Sequence, residues 1–501
     1  VGEYDPPREE RGGFFILASG SVQEQISLLC DQSFLPHSLT GSQMTMVQNA
    51  RAALKQWAGA SINRQIFSAA FVVGVITIGV KMVAMLRELM IAWQFGTSDA
   101  IDAYLIAWVI PNFVVIVVVG SFNAAFIPVY IQTRDRRGKE AAQKLFSSAT
   151  LSSAVLLVVI VSVAALTVPH LLPLIASSFS SEKLALTKSI FYSLLPWVVF
   201  SAVMQVWAAA LNAEERFFAV SATPLLTPLI TLLLLGGFAQ LLGVYALVVG
   251  VVGGTALEAA VLGLVLHRRG SSLKPVWGGF DRDMRQVAGQ MLPMIAGGLL
   301  INSNQIVDQT VAASLSGPGQ VASLNFGVRL VVVVVGILSV ALSTAVIPYF
   351  SKLAAARDWQ HLRSTFKKTV WLSFLATVPL TLIIIIFSTM IIQLFLQRGA
   401  FTNKDTQLVS QIQIYAALQI PFYIAAILGI RLITALQQNA VIMRISAVTF
   451  GVNIIADVLL ARYLGVAGIA LSTTIVYITA CLLIFGYIYG VADKRLLAKQ
   501  T

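Results

Sequence analysis

Lys81, Arg87 and Arg329 are cations set in long apolar runs. An ionised side chain at the centre of a membrane helix costs roughly 2.5–3.5 kcal/mol on insertion scales, so each marks an interior surface or a partner. Lys81, Met85 and Glu88 share one helical face. Arg87 and Glu88 stand near the end of their run, where a long side chain also reaches the interface. Cations lining a cleft suit an anionic substrate such as a diphosphate, and the arginine fork matches phosphate oxygens in pairs. Asp102, just beyond the short turn at Gly96, is placed to pair with Arg87. A second set is acidic. Asn453 and Asp457 lie one helical turn apart, Thr473 follows across the turn at Gly465, and Asp308 comes from a separate apolar run. Carboxylate, amide and hydroxyl oxygens together make a site for a hard cation; the plainer reading is polar contact between helices. Glu258, surrounded by Gly and Ala, reads at least as well as a helix–helix hydrogen bond, and Arg431 as a side chain reaching the interface.

Nothing resembles enzyme chemistry. His37, His170, His267 and His361 are scattered without metal spacing, and there is no phosphate-binding loop, nucleophile elbow or paired-cysteine motif. Cys30 and Cys481 cannot form a disulfide framework.

The elements that must carry these residues follow from composition. Of 501 residues, 57% are hydrophobic and only 11% charged, and mean hydropathy is +0.83. Soluble domains carry about 25% charge, so a soluble enzyme, a disordered chain and a secreted disulfide scaffold are excluded. Apolar runs near 66–92, 101–131, 143–168, 187–212, 217–241, 243–266, 284–313, 321–350, 367–396, 407–436, 440–464 and 466–490 predict twelve spans. None alternates with strand period, so each must be a helix, with its backbone groups paired internally. The expected fold is all-α, with two six-helix bundles over 61–280 and 281–501. A faint repeat supports the halving: Ile127-Pro128-Val129-Tyr130 matches Ile347-Pro348-Tyr349-Phe350, about 220 residues on. Such parallel repeats suit a transporter with its path between the halves.

The net charge of +12 reads as basic loops on one membrane side rather than nucleic-acid binding. Arg134, Arg136, Arg137, Lys139 and Lys144 follow the second span, and Arg268, Arg269, Lys274, Arg282 and Arg285 surround the link after the sixth. Both termini are therefore expected in the cytoplasm. Lys183, Lys188, Arg398 and Lys404 are exceptions on the opposite side. Residues 1–60 precede the spans. Within them 1–43 are polar and turn-rich, read as a tail, and Met44 or Met46 could start translation.

Leu86-Arg87-Glu88, Phe95-Gly96, Asp102-Ala103-Tyr104, Ile110-Pro111-Asn112 and Phe122-Asn123-Ala124-Ala125-Phe126-Ile127-Pro128 resemble the MurJ/MviN family. These are lipid II flippases within the multidrug/oligosaccharidyl-lipid/polysaccharide exporter superfamily. Val346-Ile347-Pro348 and Gly399-Ala400-Phe401-Thr402 extend the likeness along nearly the whole membrane part. The resemblance implies alternating access and a substrate that is lipid II or a related undecaprenyl-diphosphate-linked glycan, carried across a bacterial inner membrane. It implies that Arg87 and Arg329 are cleft arginines, that Lys81 stands where an arginine is usual, and that Asp102 is the acidic residue opening the second helix. It also implies sodium at Asp308, Asn453, Asp457 and Thr473. The chain departs from the family at Phe113–Gly120, where a pair of arginines and an acidic residue are replaced by an uncharged apolar run. Two other functions are weighed: a drug/cation antiporter, which would favour acidic cleft residues, and a membrane glycan ligase or polymerase, which needs a large outer loop.

Overall fold

The computed structural model describes residues 62–497, apart from loop positions 215, 271, 275, 276, 278, 280 and 357. The expectations for residues 1–61 lie outside the described residues.

Every described element is a helix. In chain order these are α1 (Ile62–Phe95), α2 (Asp99–Val114), α3 (Gly120–Ile175), α4 (Ser181–Ala213), α5 (Phe217–Ala222), α6 (Leu226–Leu242), α7 (Tyr245–Arg268) and α8 (Arg282–Ser314). Then come α9 (Gln320–Ala355), α10 (Trp359–Ile386), α11 (Ser388–Leu396), α12 (Asn403–Ala417), α13 (Gln419–Ala435), α14 (Asn439–Leu464) and α15 (Val466–Leu497). Among the described residues nine stretches are long and apolar enough to cross a membrane, and the first, Asp99–Ile175, has 77 residues. That length suffices for two crossings at about 20 residues each. It turns at Gly138, whose φ of 84° is open to glycine at no steric cost. With α1 and the more polar α8, the chain is a twelve-helix membrane fold matching the twelve predicted spans.

Breaks within spans have local causes. Pro111 supplies no N–H, and the ladder after it widens into a π-turn over Val115–Val119. Pro421 stops α12 from running straight into α13, and the Gln419 side chain covers the Ala416 carbonyl at 2.9 Å. Leu166, Leu233, Leu241 and Ile386 point outward, as expected of surfaces solvated by lipid.

The chain forms two compact units. One comprises the described residues up to Glu88 with Val118–Val163 and Leu195–Leu292; the other comprises Leu89–Val117, Ala164–Leu194 and the described residues from Pro293. The chain passes between units five times, after Glu88, Val117, Val163, Leu194 and Leu292; three of these passages fall inside the π-turn, just before Pro196, and at Pro293. In the first unit, Gly250 and Gly254 of α7 lie against Thr231 and Thr227 of α6, the small-residue contact that lets membrane helices pack backbone to backbone. In the second, Phe350, Phe366, Ile424, Leu428 and Ile484 form a buried cluster joining α9, α10, α13 and α15.

Candidate functional site

The second unit contains a clasp formed by the ends of several helices. Asp102 on α2 is 1% exposed and Lys183 on α4 8%. Lys183 Nζ donates to Asp102 Oδ2 at 2.7 Å and to Asp99 Oδ1 at 2.6 Å, and lies 4.0 Å from the centre of the Phe179 ring. The other Asp102 oxygen accepts the Ala322 N–H at 2.7 Å. Ala322 lies in the first turn of α9, whose own N-cap, Gly319, offers no side chain. Asp102 thus does the capping from another helix and places a carboxylate at the positive end of the α9 dipole.

Further bonds close the same cluster. Thr97 donates to Asp405, which also forms a capping box with Thr402 at the start of α12. The Ala400 N–H reaches the Trp93 carbonyl at 2.8 Å, and Ser178 Oγ reaches the Ala313 carbonyl at 2.6 Å. Gly319, with φ 71°, sits against the Thr97 backbone so closely that any Cβ would collide with it. Both Asp102 oxygens are engaged, by Lys183 and by the Ala322 N–H, and Arg87 pairs with its neighbour Glu88 at 2.6 Å.

The acidic set is brought together in the same unit. Asn453 Nδ2 donates to Asp308 Oδ1 at 3.0 Å, and the Asp308 and Asp457 carboxylates lie within hydrogen-bonding reach of each other. Asn453 is 1% and Asp457 0% exposed. The hydroxyl that reaches Asp457 belongs to Ser472, one residue before the expected one. Thr473 donates instead to the Ile469 carbonyl of its own helix at 3.2 Å. Asn453 Oδ1 and Asp457 Oδ2 are buried acceptors with no hydrogen-bond partner. Orphaned buried oxygens beside a second carboxylate fit a hard cation, which would use their lone pairs and offset the repulsion between the carboxylates.

The three cations are placed less restrictively. Lys81 is exposed on α1 and Arg87 half-buried six residues further along it, both in the first unit; Arg329 is exposed on α9 in the second. Glu258 takes the plainer of its two readings: its carboxylate accepts the Thr227 N–H at 3.2 Å near the start of α6. Glu258→Gln keeps an acceptor there, so transport should be unchanged and the melting temperature nearly so. Glu258→Leu leaves that N–H unpaired at a cost of about 1–3 kcal/mol, readable as a lowered melting temperature. Equal melting of both variants would show that this bond carries no stability.

Comparison with known proteins gives one answer. Residues 91–497 match the family described as lipid II flippase MurJ. A Synechocystis sp. protein described as a probable lipid II flippase MurJ is 26% identical over 433 residues, covering 82% of this chain and 79% of that protein. A solved structure of lipid II flippase MurJ in an inward closed conformation superposes with TM-score 0.72 at 22% identity, covering 85% of this chain and 91% of that one. An inward-facing transporter of the multidrug-resistance MATE family shares the fold at TM-score 0.67 and 15% identity, over 84% of this chain and 98% of that one. The twelve-helix fold and the sequence match converge: this multi-pass membrane chain belongs to the MurJ lipid II flippase family, whose members are transporters rather than enzymes.

Proposed function

We propose that the protein moves a prenyl-diphosphate-linked glycan, lipid II or a related repeat unit, from the inner to the outer leaflet by alternating access. The observation that carries this reading is the family match over residues 91–497. Lys81, Arg87 and Arg329 contact the diphosphate, the glycan occupies the aqueous path, and the prenyl tail stays in lipid. The basic loops support a reading with both termini in the cytoplasm of a bacterial inner membrane. On that orientation the clasp of Asp102, Lys183 and the α9 N-terminus is the outer closure, and it must open once per cycle. Ligand binding biases opening only through a difference in affinity between the two states.

The test is transport by the full chain in liposomes. A labelled prenyl-diphosphate disaccharide is compared with the same disaccharide on a neutral prenol, and leaflet position is read with an impermeant quencher. Selective transport of the diphosphate form is expected. Equal rates for both lipids would remove the diphosphate role.

We propose further that Asp308, Asn453 and Asp457, with Thr473 and Ser472 beside them, hold sodium. The site supplies oxygen donors and negative charge, and the ion supplies a charge-dependent bias between states. Sodium at about 0–150 mM and constant ionic strength should raise the melting temperature and the transport rate. Asp457→Asn should flatten both responses. If the unmodified protein ignores sodium in both measurements, the cluster is a polar contact between helices.

A further inference from the structure

Two neighbouring residues of α8 reach different helices. Asp308 accepts from Asn453 Nδ2 of α14 at 3.0 Å, inside the acidic cluster. Gln309, the next residue, stands about 100° away around the helix and is buried. Its Oε1 accepts from Asn325 Nδ2 of α9 at 3.0 Å. Arg329 follows Asn325 on the same face of α9, about 6 Å further along the axis. We infer that Gln309 and Asn325 are positioning residues that couple the cation cluster to Arg329. A cation held by Asp308, Asn453 and Asp457 fixes α8, and the amide bond passes that setting to the rotation of α9. This inference rests on the sodium and diphosphate readings above.

Three observations carry it. First, the bond is directional where other contacts of α9 are not. Gly327 of α9 lies against Ile412 and the Val409 carbonyl of α12, and the Phe326 ring meets Phe401 edge to face at 5.8 Å. Apolar attraction is non-directional, whereas a hydrogen bond weakens steeply as its angle opens.

Second, Asn325 is set in advance. Its Nδ2 also donates to the Val321 carbonyl, one turn back on α9, at 2.9 Å. The side chain is therefore tied to its own backbone, and its bond to Gln309 follows the orientation of α9 itself rather than that of a loose side chain.

Third, the bond stands in the element that the cycle must move. The tip of the α8–α9 hairpin enters the clasp, where Ser178 holds the Ala313 carbonyl at 2.6 Å and Asp102 accepts the Ala322 N–H at 2.7 Å. Coupling requires an element with two arrangements that both sites bias. The hairpin is that element, held at its tip in the closed clasp and released in the open one. A bond that only holds two membrane helices together could stand anywhere along them. This one stands between Ala322 and Arg329 on α9 and beside Asp308 on α8.

The test uses the full chain in detergent, with choline replacing sodium at constant ionic strength. Two affinities are measured: the Kd of a labelled prenyl-diphosphate disaccharide by fluorescence, and the sodium midpoint by thermal melting. In the unmodified protein sodium should tighten lipid binding at least about fivefold, and the lipid should tighten sodium binding by the same factor, because coupling is reciprocal. Gln309→Met/Asn325→Leu removes both amides, so neither is left unpaired. This variant should keep the sodium midpoint measured without lipid, while both coupling factors fall below about twofold. Full coupling in the variant overturns the inference. Loss of its sodium midpoint does so too, because the bond would then only shape the cation cluster. Where the double variant does not fold, Gln309→Asn, which shortens the reach by one methylene and keeps an amide, is judged by the same two criteria. An unmodified protein whose melting ignores sodium overturns the sodium reading, and one that binds the neutral prenol disaccharide equally well overturns the diphosphate reading; this inference falls with either. Sodium and lipid that both bind but ignore each other overturn this inference alone.

Discussion

Arg329→Ala and Arg87→Ala should each lower transport of a prenyl-diphosphate glycan by about 100-fold or more. Two charge-assisted hydrogen bonds to phosphate are worth about 3 kcal/mol together, and each 1.4 kcal/mol is a factor of ten. Arg329→Lys and Arg87→Lys keep the charge but lose the fork, so they should fall between alanine and the unmodified protein. Lys81→Arg should be tolerated, because it adds a fork without removing charge. Both arginines need a folding control. Arg87 also neutralises Glu88 at 2.6 Å, so Arg87→Ala leaves a half-buried carboxylate without that partner, and its melting temperature must be measured alongside transport. Arg329 is exposed on α9, and the melting temperature of its alanine variant must be measured in the same way. Normal rates in both alanine variants would sink the diphosphate assignment.

Lys183→Met should unfasten the clasp. Its bond to exposed Asp99 is worth at most about 1 kcal/mol. Its bond to Asp102 is different, because removing one partner of a buried pair leaves an uncompensated charge and costs about 3–5 kcal/mol. A two-state equilibrium shifts by a factor of ten for each 1.4 kcal/mol, so even half of that cost would noticeably depopulate the closed clasp. Ser178 Oγ lies 2.9 Å from the Leu315 carbonyl, so Ser178→Cys/Leu315→Cys reports closure through disulfide formation. Cross-linking should be fast in an otherwise unmodified background and at least tenfold slower with Lys183→Met. Asp102→Asn should be milder, since its amide oxygen still accepts the Ala322 N–H. Unaltered cross-linking in Lys183→Met would show that the ion pair contributes nothing to closure.

The helices were legible in sequence because lipid leaves the backbone no alternative to internal hydrogen bonding. The run predicted at 321–350 became α9, Gln320–Ala355, and that at 440–464 became α14, Asn439–Leu464. The family was legible from short spaced motifs, and the match over 91–497 bears it out. Side-chain partnerships were not legible. Lys183 looked like an exception to the charge rule because its partner Asp102 is 81 residues away; a basic residue on the otherwise bare side was the one available signal. The capping of α9 by Asp102 was equally hidden, because Ala322 is 220 residues further along the chain. Asp457 meets Ser472 rather than Thr473 because the hairpin between α14 and α15 sets the register, and helical periodicity within one span says nothing about rotation of the next. Glu258 was readable from its Gly and Ala neighbours, since small residues bring a second backbone within reach.

Three of the five places at which the chain passes between its units are breaks in a helix ladder, and these also decide where a lipid-embedded protein lets solvent exchange begin. Pro196 and Pro293 remove the N–H groups that would have closed the ladders onto the Tyr192 and Gly289 carbonyls, and the π-turn at Val115–Val119 loosens a third helix. Deuterium normally enters such a protein from its loops, because a continuous helix in hydrocarbon opens only with most of its length. Here the ladders are already interrupted within the spans, so local opening starts from several interior points as well as from the ends. The slow breathing of these helices is therefore partitioned into short segments, and a label introduced at their centres exchanges on a timescale set by one or two turns rather than by a whole crossing.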